Sequence, residues 1–269
     1  MAPVDTLSFK CALITGGAGG LGKAMAIELL KRGKKVLLAG RSEDKLIATT
    51  KEINASGYYV LDTGDIASIP DFIEKLTKEH PEVDCLINNA GVQRPLQLFS
   101  DEYSFDLKSA DQEIDINIRG PLHLSIGMIE RHFSKLENGA VIMNVSSVLG
   151  FVPFSVINPV YNGTKAWLHM FSTNLRTQLA KSTTSEGAKK IKIVEIVPPA
   201  VETDLHRDRT NPDDNKKENM PHSLSIDEFM EDVKKGWESN LDTVSAGPGK
   251  EVVKVWGETM GARYDKMAQ

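Results

Sequence analysis

Six short runs of apolar and β-branched residues alternate with longer segments of helical period across the first two-thirds of the chain. We predict strands at residues 11–15, 35–39, 58–61, 83–88, 140–145 and 191–197. The segments between them include predicted helices at 20–31 and at 42–54, the second with a capping serine before two acidic residues. The alternation therefore predicts an α/β fold with a doubly wound parallel sheet between two helical layers, in which ligands bind at the carboxyl ends of the strands.

The composition excludes several other classes of protein. The 269 residues are 41% hydrophobic, which supports a sizeable core, and the net charge of −5 argues against a general nucleic-acid binder or a protein of anionic membrane surfaces. Two cysteines are too few for a disulfide scaffold. The sequence has no run long enough for a membrane span, no secretory signal and no histidine or cysteine motif for a metal, so we expect a soluble, cytoplasmic protein without a metal site.

One polar segment interrupts the alternation. Residues 204–225 are rich in Asp, Asn, Lys and Arg and lead into a helix with a capping box, Ser225 to Glu228. A loop of this length inside a compact domain is either a solvated insertion or functional, and we favour a mobile flap over a substrate pocket. We expect one domain over residues 1–269, with this flap and a closing segment at 226–269.

A glycine-rich turn follows the first predicted strand. Gly17, Gly19 and Gly22 satisfy G-x-G-x-x-G, and glycines there let the backbone approach a pyrophosphate at the start of a helix. The same residues nearly match a nucleoside-triphosphate loop, but Ala24 stands where that loop needs Ser or Thr to hold Mg²⁺. The other alternative is a turn that is merely tight. The pattern favours a Rossmann-type dinucleotide site.

The end of the second predicted strand indicates which dinucleotide. An acidic residue there would bond the ribose 2′-hydroxyl of NAD, but the sequence has Gly40 and Arg41. A guanidinium is suited to a 2′-phosphate, so NADP is favoured over NAD. The alternative is that Arg41 is an ordinary surface arginine at a helix entrance.

Tyr161 and Lys165 are four residues apart and therefore on one face of a predicted helix. A neighbouring ammonium lowers the pKa of a phenol, so the pair is a plausible general acid and base. Ser146 and Ser147 follow a predicted strand upstream and can present a hydroxyl at the same crevice.

Taken together, these motifs resemble the short-chain dehydrogenase/reductase family of the classical type, over residues 10–203. The family's T-G-x-x-x-G-x-G pattern is matched by Thr15, Gly16, Gly20 and Gly22, and its N-N-A-G segment by 88–91. The resemblance implies a catalytic tetrad of Asn117, Ser147, Tyr161 and Lys165. It implies that the cofactor is bound by a set from these motifs and from the strand ends: Thr15, Gly16, Gly20, Leu21, Gly22, Arg41, Asp62, Thr63, Asn89, Gly91, Tyr161, Lys165, Val201 and Thr203.

The resemblance also implies a role for each member of the tetrad. Tyr161 would exchange the proton with the substrate oxygen, Lys165 would lower its pKa and hold the nicotinamide ribose, and Ser147 would orient the carbonyl. Asn117 would fix a water. The sequence gives an independent reason for this last role, because Pro121, four residues later, lacks an N–H and would leave the Asn117 carbonyl without its helical partner; the alternative is that Pro121 is a simple kink.

Two features depart from the family pattern. Pro199 replaces the glycine of the segment that positions the nicotinamide, and the spacing from Ser147 to Tyr161 is one residue longer than usual. The extra residue is expected in the loop with Phe151, Phe154 and Val156, which suggest a largely apolar substrate.

The sequence thus predicts an NADPH-dependent carbonyl reductase that reversibly converts a ketone or aldehyde to an alcohol. The alternatives are an alcohol dehydrogenase that works in the oxidising direction and a non-catalytic NADP-binding sensor. A sugar-nucleotide epimerase is disfavoured because few residues remain after Thr203. By analogy with the family, we expect a homodimer or homotetramer formed through the helices of Asn117 and Tyr161.

Overall fold

A seven-stranded, wholly parallel sheet forms the centre of the protein in the computed structural model, which describes residues 4–268. Its order is β3-β2-β1-β4-β5-β6-β7. Strands β2 and β3 are therefore added on one side of β1 and strands β4 to β7 on the other, so the order of strand addition reverses between β1 and β4. The strands are β1 (Cys11–Thr15), β2 (Lys35–Gly40), β3 (Gly57–Val60), β4 (Cys85–Asn88), β5 (Ala140–Val145), β6 (Ile191–Val197) and β7 (Thr243–Ser245). In a doubly wound sheet this reversal opens a crevice at the carboxyl ends of the strands.

Helices cover both faces of the sheet. They are α1 (Gly20–Lys31), α2 (Glu43–Ile53), α3 (Ile69–Glu79), α4 (Leu107–Ile114), α5 (Gly120–Arg131), α6 (Pro159–Ala180), α7 (Ile226–Glu238), α8 (Gly249–Trp256) and α9 (Ala262–Met267). Residues Asp115–Arg119 join α4 to α5 as a π-helical segment. The predicted doubly wound α/β fold with three layers is confirmed.

Successive residues of each strand supply the two halves of the core. Ala12 and Ile14 of β1 pack with α1, α2 and α7, whereas Cys11 and Leu13 pack with α3, α5 and α6. Side chains alternate between the faces of a strand, so a sheet with both faces covered requires continuous apolar runs, as in these strands. Both cysteines are buried and unpaired.

Most predicted element bounds agree with the structure within two residues. Predicted helix 20–31 and strands 11–15, 140–145 and 191–197 match fully, while β4 begins two residues later because Val83 closes a turn onto the His80 carbonyl, 3.0 Å from its amide nitrogen. The capping box of Ser225 and Glu228 is present. Ser42 occupies the N-cap position of α2, but its side chain makes no capping hydrogen bond.

The two ends of the polar segment 204–225 are held close to each other. Val201 forms a parallel bridge with Leu224, and the buried Asn215 amide donates to the carbonyls of Val201 (2.9 Å) and Thr203 (3.0 Å). The segment therefore makes a closed loop beside the carboxyl end of β6. Its mobility as a flap stays a prediction, as does the division of the chain around it.

Candidate active site

A cavity of about 990 Å³ lies along the carboxyl ends of the strands, where the order of strand addition reverses. It is lined by the glycine-rich turn after β1, by the end of β5 and by the loop after β6. Its lining includes glycines as well as polar side chains. No helix among residues 4–268 has the length and apolar character to cross a bilayer, and the same residues contain no cluster of three or more His, Cys, Asp or Glu placed to hold a metal.

The turn after β1 folds tightly because its glycines permit close backbone contacts. Gly16 has φ +65°, and a Cβ on Gly22 would lie only 2.3 Å from the Gly16 carbonyl oxygen. The N-cap of α1 is Gly19, which offers no capping side chain, and the first turn has no acidic residue. Gly19, Gly20 and Leu21 line the cavity. The positive end of α1 therefore faces the cavity with amide groups that suit a pyrophosphate.

Thr15 and Asn89 brace this turn from below. The Thr15 hydroxyl donates to the Ile87 carbonyl (3.3 Å) and accepts from the amides of Asn89 and Ala90, each at 3.0 Å. The Asn89 side chain donates to the Thr15 carbonyl at 2.9 Å. Thr15 thus joins the ends of β1 and β4 and does not itself line the cavity.

Cations and hydroxyl groups surround the cavity at the end of β2. Arg41, Ser42 and Lys45 all line it, and the 35–42 segment contributes no carboxylate. Because Ser42 makes no capping bond, its hydroxyl is available to a ligand. These groups suit a phosphate on the adenosine ribose. Asp62 and Thr63, after β3, line the adjoining wall.

Two adjacent serines at the end of β5 have different partners. Ser147 lines the cavity, and its Oγ accepts a hydrogen bond from the Leu149 amide (3.2 Å), which leaves its own hydrogen to donate. Ser146 donates to the buried carboxylate of Glu195 (2.5 Å), which also bonds His169 Nδ1 (2.8 Å). Ser147 is therefore the serine that can contact a substrate.

Tyr161 and Lys165 lie on the first turns of α6, and both are buried. Lys165 Nζ donates to the Val145 carbonyl (2.8 Å) and lies 5.5 Å from the centroid of the Tyr161 ring. Helix α6 approaches the turn after Ser147 so closely that a Cβ on Gly150 would lie 2.7 Å from the Lys165 carbonyl. This contact fixes the tyrosine and lysine relative to Ser147.

Burial has the largest effect on the pKa values of both Tyr161 and Lys165. It raises the pKa of Tyr161 above the usual value, an effect opposed by the hydroxyl of Ser147. It lowers the pKa of Lys165 to about 8, while the charges of Glu113 and Glu195 act in the other direction. The sequence led us to expect that Lys165 lowers the phenol pKa, but in the protein alone desolvation of the phenolate is the largest effect and the pKa of Tyr161 is raised.

Asn117 lies behind this pair, on the π-helical segment. Its side chain exchanges hydrogen bonds with the main chain of Val92, at 3.0 Å and 2.8 Å, and donates to Thr164 Oγ1 at 3.2 Å. Pro121 follows in the first turn of α5. The π-helical segment therefore includes Asn117, whose carbonyl Pro121 was expected to leave without a helical partner. Such π-helical segments are frequent at functional sites.

The part of the cavity lined by residues 154 and 205–220, where we expect the substrate, has both apolar and cationic walls. Phe154, Leu205 and Met220 line it, together with Arg207 and Arg209. Phe151 does not line it; its ring packs on His169 at 4.1 Å and on Trp256 at 5.8 Å. Val156 is 80% exposed and outside this cavity. Of the three loop residues expected at the substrate, only Phe154 is placed there, because Phe151 anchors the C-terminal helices.

Most of the predicted site residues meet in this cavity. Those that line it are Gly16, Gly20, Leu21, Arg41, Asp62, Thr63, Asn89, Gly91, Ser147, Tyr161, Lys165, Val201 and Thr203. Thr15, Gly22 and Asn117 lie just behind it. Sequence reasoning missed Lys45, Arg209 and Glu113. Only Glu113 carried a recognisable pattern, since it precedes Asn117 by one helical turn.

One cavity at the carboxyl ends of the parallel strands thus contains a glycine turn that suits a pyrophosphate and a buried Tyr–Lys pair. The family described as short chain dehydrogenase matches residues 10–214. The chain belongs to this family of oxidoreductases.

Individual relatives agree with this assignment. The chain is 34% identical to the uncharacterized oxidoreductase DltE of Bacillus subtilis over 195 residues, 72% of this chain and 73% of that one. It is 34% identical over 225 residues to an NADP-dependent 3-hydroxy acid dehydrogenase of Schizosaccharomyces pombe, with 81% of each covered. A short-chain dehydrogenase from Sphingobium yanoikuyae, solved in complex with NADPH, has the same fold, with a TM-score of 0.78 at 21% identity over 97% of this chain and 96% of that one.

Proposed function

We propose that the protein is an NADPH-dependent carbonyl reductase that converts a ketone or aldehyde to an alcohol. The observation that carries the proposal is the convergence of Ser147, Tyr161 and Lys165 on the cavity that also contains the glycine turn and Arg41. A non-catalytic sensor would need the turn alone, whereas here a buried proton donor lies at the other end of the same cavity.

The cofactor end suits NADPH by charge and by shape. The uncapped N-terminus of α1 can hold the pyrophosphate, and Arg41, Ser42 and Lys45 can hold the 2′-phosphate. Asp62 and Thr63 border the adenine side, and Asn89, Gly91, Lys165, Val201 and Thr203 border the nicotinamide side. NADPH supplies the hydride when bound.

The protein's own residues supply the proton and the orientation. Ser147 donates a hydrogen bond to the substrate oxygen, and Tyr161 transfers its proton to that oxygen as negative charge develops. The high pKa of the buried Tyr161 keeps the phenol protonated at neutral pH, which is the state needed for reduction. Lys165, held by the Val145 carbonyl, places its charge beside the phenol and the nicotinamide ribose.

Oxidation of a substrate that carries a carboxylate is a second candidate activity, because the expected substrate end of the cavity also contains cationic side chains. Arg207 and Arg209 line the cavity beyond Phe154 and Leu205 and can attract a carboxylate. The S. pombe relative is named for 3-hydroxy acids. We therefore include oxidation of a hydroxy acid by the same residues as the alternative activity.

The experiment is a screen of NADPH oxidation at 340 nm against aldehydes, ketones, diketones and 3-oxo esters, with NADH in parallel and with hydroxy acids plus NADP⁺ in the reverse assay. Tyr161→Phe, which removes only the hydroxyl, should lower kcat/KM for any active substrate by ~10²–10⁴-fold. NADPH affinity, measured by fluorescence titration, should be nearly unchanged.

The matched control is Tyr264→Phe, which also removes a phenol hydroxyl, in this case one that bonds Asn174 and Thr177 on the far part of α6. It should retain activity. Full activity in Tyr161→Phe would refute the mechanism. NADPH binding without turnover of any substrate class would favour the sensor.

A further inference from the structure

Glu113, near the end of α4, is a fully buried carboxyl group outside the tetrad. Its exposed fraction is 0%, and neither carboxyl oxygen has a hydrogen-bond partner with good geometry among the described residues. The other buried carboxylate near the site, Glu195, is different, since each of its oxygens has a partner, Ser146 and His169. An unpaired carboxyl at a fully buried position is rare in proteins, so its presence calls for a role.

The position of Glu113 directs it towards the catalytic helix. It lies one helical turn before Asn117, and Ala110 and Asn117 are buried on the same face. The Asn117 side chain contacts Thr164 of α6 (3.2 Å), and Thr164 Oγ1 in turn donates to the Tyr161 carbonyl (2.8 Å). Helix α4 also contacts α6 directly, so Glu113 lies on the buried side of α4, one turn from the residue that contacts the turn of Tyr161 and Lys165.

The charged and titratable groups around Glu113 come from three elements. They are Arg94 in the loop after β4, Tyr161 and Lys165 on α6, and Asp208 in the 204–225 segment. Burial raises the pKa of Glu113 to about 7, and Asp208 acts in the same direction, while the Arg94 amide and the charges of Arg94 and Lys165 oppose the rise. Arg94 itself is engaged with the Ser109 carbonyl (3.0 Å), Gln112 (2.8 Å) and Asp208 (3.5 Å).

We propose that Glu113 is a positioning residue that acts through Lys165: as a fully buried carboxylate near the first turns of α6, it keeps the Lys165 amine protonated beside Tyr161. The proposal rests on the proposed function, which gives Tyr161 and Lys165 their roles. It extends that function by adding a third ionisable group, which makes the acid–base pair responsive to pH.

The expected direction of the effect follows from the sign of the charge. A carboxylate stabilises the ammonium of Lys165 and destabilises the phenolate of Tyr161, so it raises the pKa of both groups. Glu113→Gln removes the charge and keeps the shape, and the pKa of Lys165 should then fall. Under the proposed function the Lys165 ammonium is needed beside the phenol, so the alkaline limb of the kcat/KM profile, which follows deprotonation of Lys165, should move to lower pH.

The first experiment needs no turnover. In protein labelled with ¹³C in Lys and Glu, the Lys165 Cε resonance is identified by its loss in Lys165→Arg, and that of the Glu113 carboxyl by its loss in Glu113→Gln. The carboxyl of Glu113 should titrate near pH 7 in the native protein, apart from the exposed glutamates. In Glu113→Gln the midpoint of Lys165 should fall by ~0.5–1 pH unit.

The second experiment is the pH profile of kcat/KM for the best carbonyl substrate. The alkaline limb should move down by a similar amount in Glu113→Gln, and Glu113→Asp, which keeps the charge, should restore most of the difference. Asp111→Asn is the matched control, because it removes an exposed carboxylate two residues earlier on the same helix. Its profile should match that of the native enzyme.

Two results would overturn the proposal. One is an unchanged Lys165 midpoint and an unchanged alkaline limb in Glu113→Gln. The other, which does not depend on the folding of any variant, is a Glu113 carboxyl that titrates together with the exposed glutamates of the native protein. Absence of carbonyl reduction by the native enzyme would instead refute the proposed function, and the resonance of Lys165 would still report on Glu113.

Discussion

The two ends of the cavity are built in different ways. At the cofactor end the walls are main chain, and the turn closes because Gly16 and Gly22 lack side chains. At the substrate end the wall is an assembly of distant side chains. Arg209 donates to Gln93 (2.9 Å), to Asn158 (2.8 Å) and to Asp214 (2.5 Å), and two of these partners lie 116 and 51 residues away in sequence.

This difference predicts that the two ends of the cavity tolerate amino-acid substitutions to different degrees. The glycine turn has a fixed main-chain geometry, and the methyl group of an alanine at Gly22 would disrupt it. A wall made of side chains can change its shape and charge through substitutions that leave the sheet intact. We therefore expect changes at the cofactor end to affect binding and folding, and changes at the substrate end to affect mainly KM.

The largest effect is expected from Gly22→Ala. The new Cβ would lie 2.3 Å from the Gly16 carbonyl oxygen and 2.6 Å from Asn89 Nδ2, so the turn must open. Urea unfolding should show a loss of ~2–3 kcal/mol in the free energy of unfolding, and NADPH binding should be lost. Gly163→Ala, where a Cβ meets nothing within 4 Å, is the control. Native affinity in Gly22→Ala would show that the turn is not constrained in this way.

An intermediate effect is expected from Arg41→Ala. Loss of one charged hydrogen-bonding partner should raise the Kd of NADPH by ~10–100-fold and leave that of NADH nearly constant. Lys51→Ala removes an exposed cation from the same helical layer, away from the cavity, and should change neither value. Equal weakening of both cofactors would remove the preference for NADP from the proposal.

The smallest effect is expected from Arg209→Ala, which detaches the 204–225 segment from Gln93 and Asn158. The KM of the carbonyl substrate should rise ~2–10-fold while the Kd of NADPH stays constant. The control is Lys217→Ala. Lys217 lies in the same 204–225 segment but outside the cavity, and its ion pair with Glu228 of α7 would be lost; KM should be unchanged. A larger change in cofactor binding than in KM would contradict the division between the two ends.

The cofactor end could be predicted from the sequence because its determinants are local. The glycine turn, the end of β2 and the Tyr161–Lys165 spacing each lie within a few residues, and the continuous apolar runs of β1, β5 and β6 locate the strands. Strand β7 is only three residues long, too short for any periodicity, and it was missed.

The remaining features depend on contacts between distant segments. Nothing in residues 204–225 indicates that Arg209 reaches Gln93, or that Phe151 packs on His169 and Trp256 instead of lining the cavity. The burial of Glu113 follows from the packing of α4 on α6, which helical spacing alone does not reveal. Side-chain burial of this kind is set by tertiary structure.

The hydrogen bonds of Glu195 have a consequence for how the sequence can change. One carboxylate holds Ser146 and His169, so β5, β6 and α6 share a single buried group directly behind Ser147. Replacing any one of the three would leave a polar partner buried and unsatisfied, at a cost of several kcal/mol for the carboxylate. Positions 146, 169 and 195 should therefore covary among relatives, as a unit that is kept or lost together.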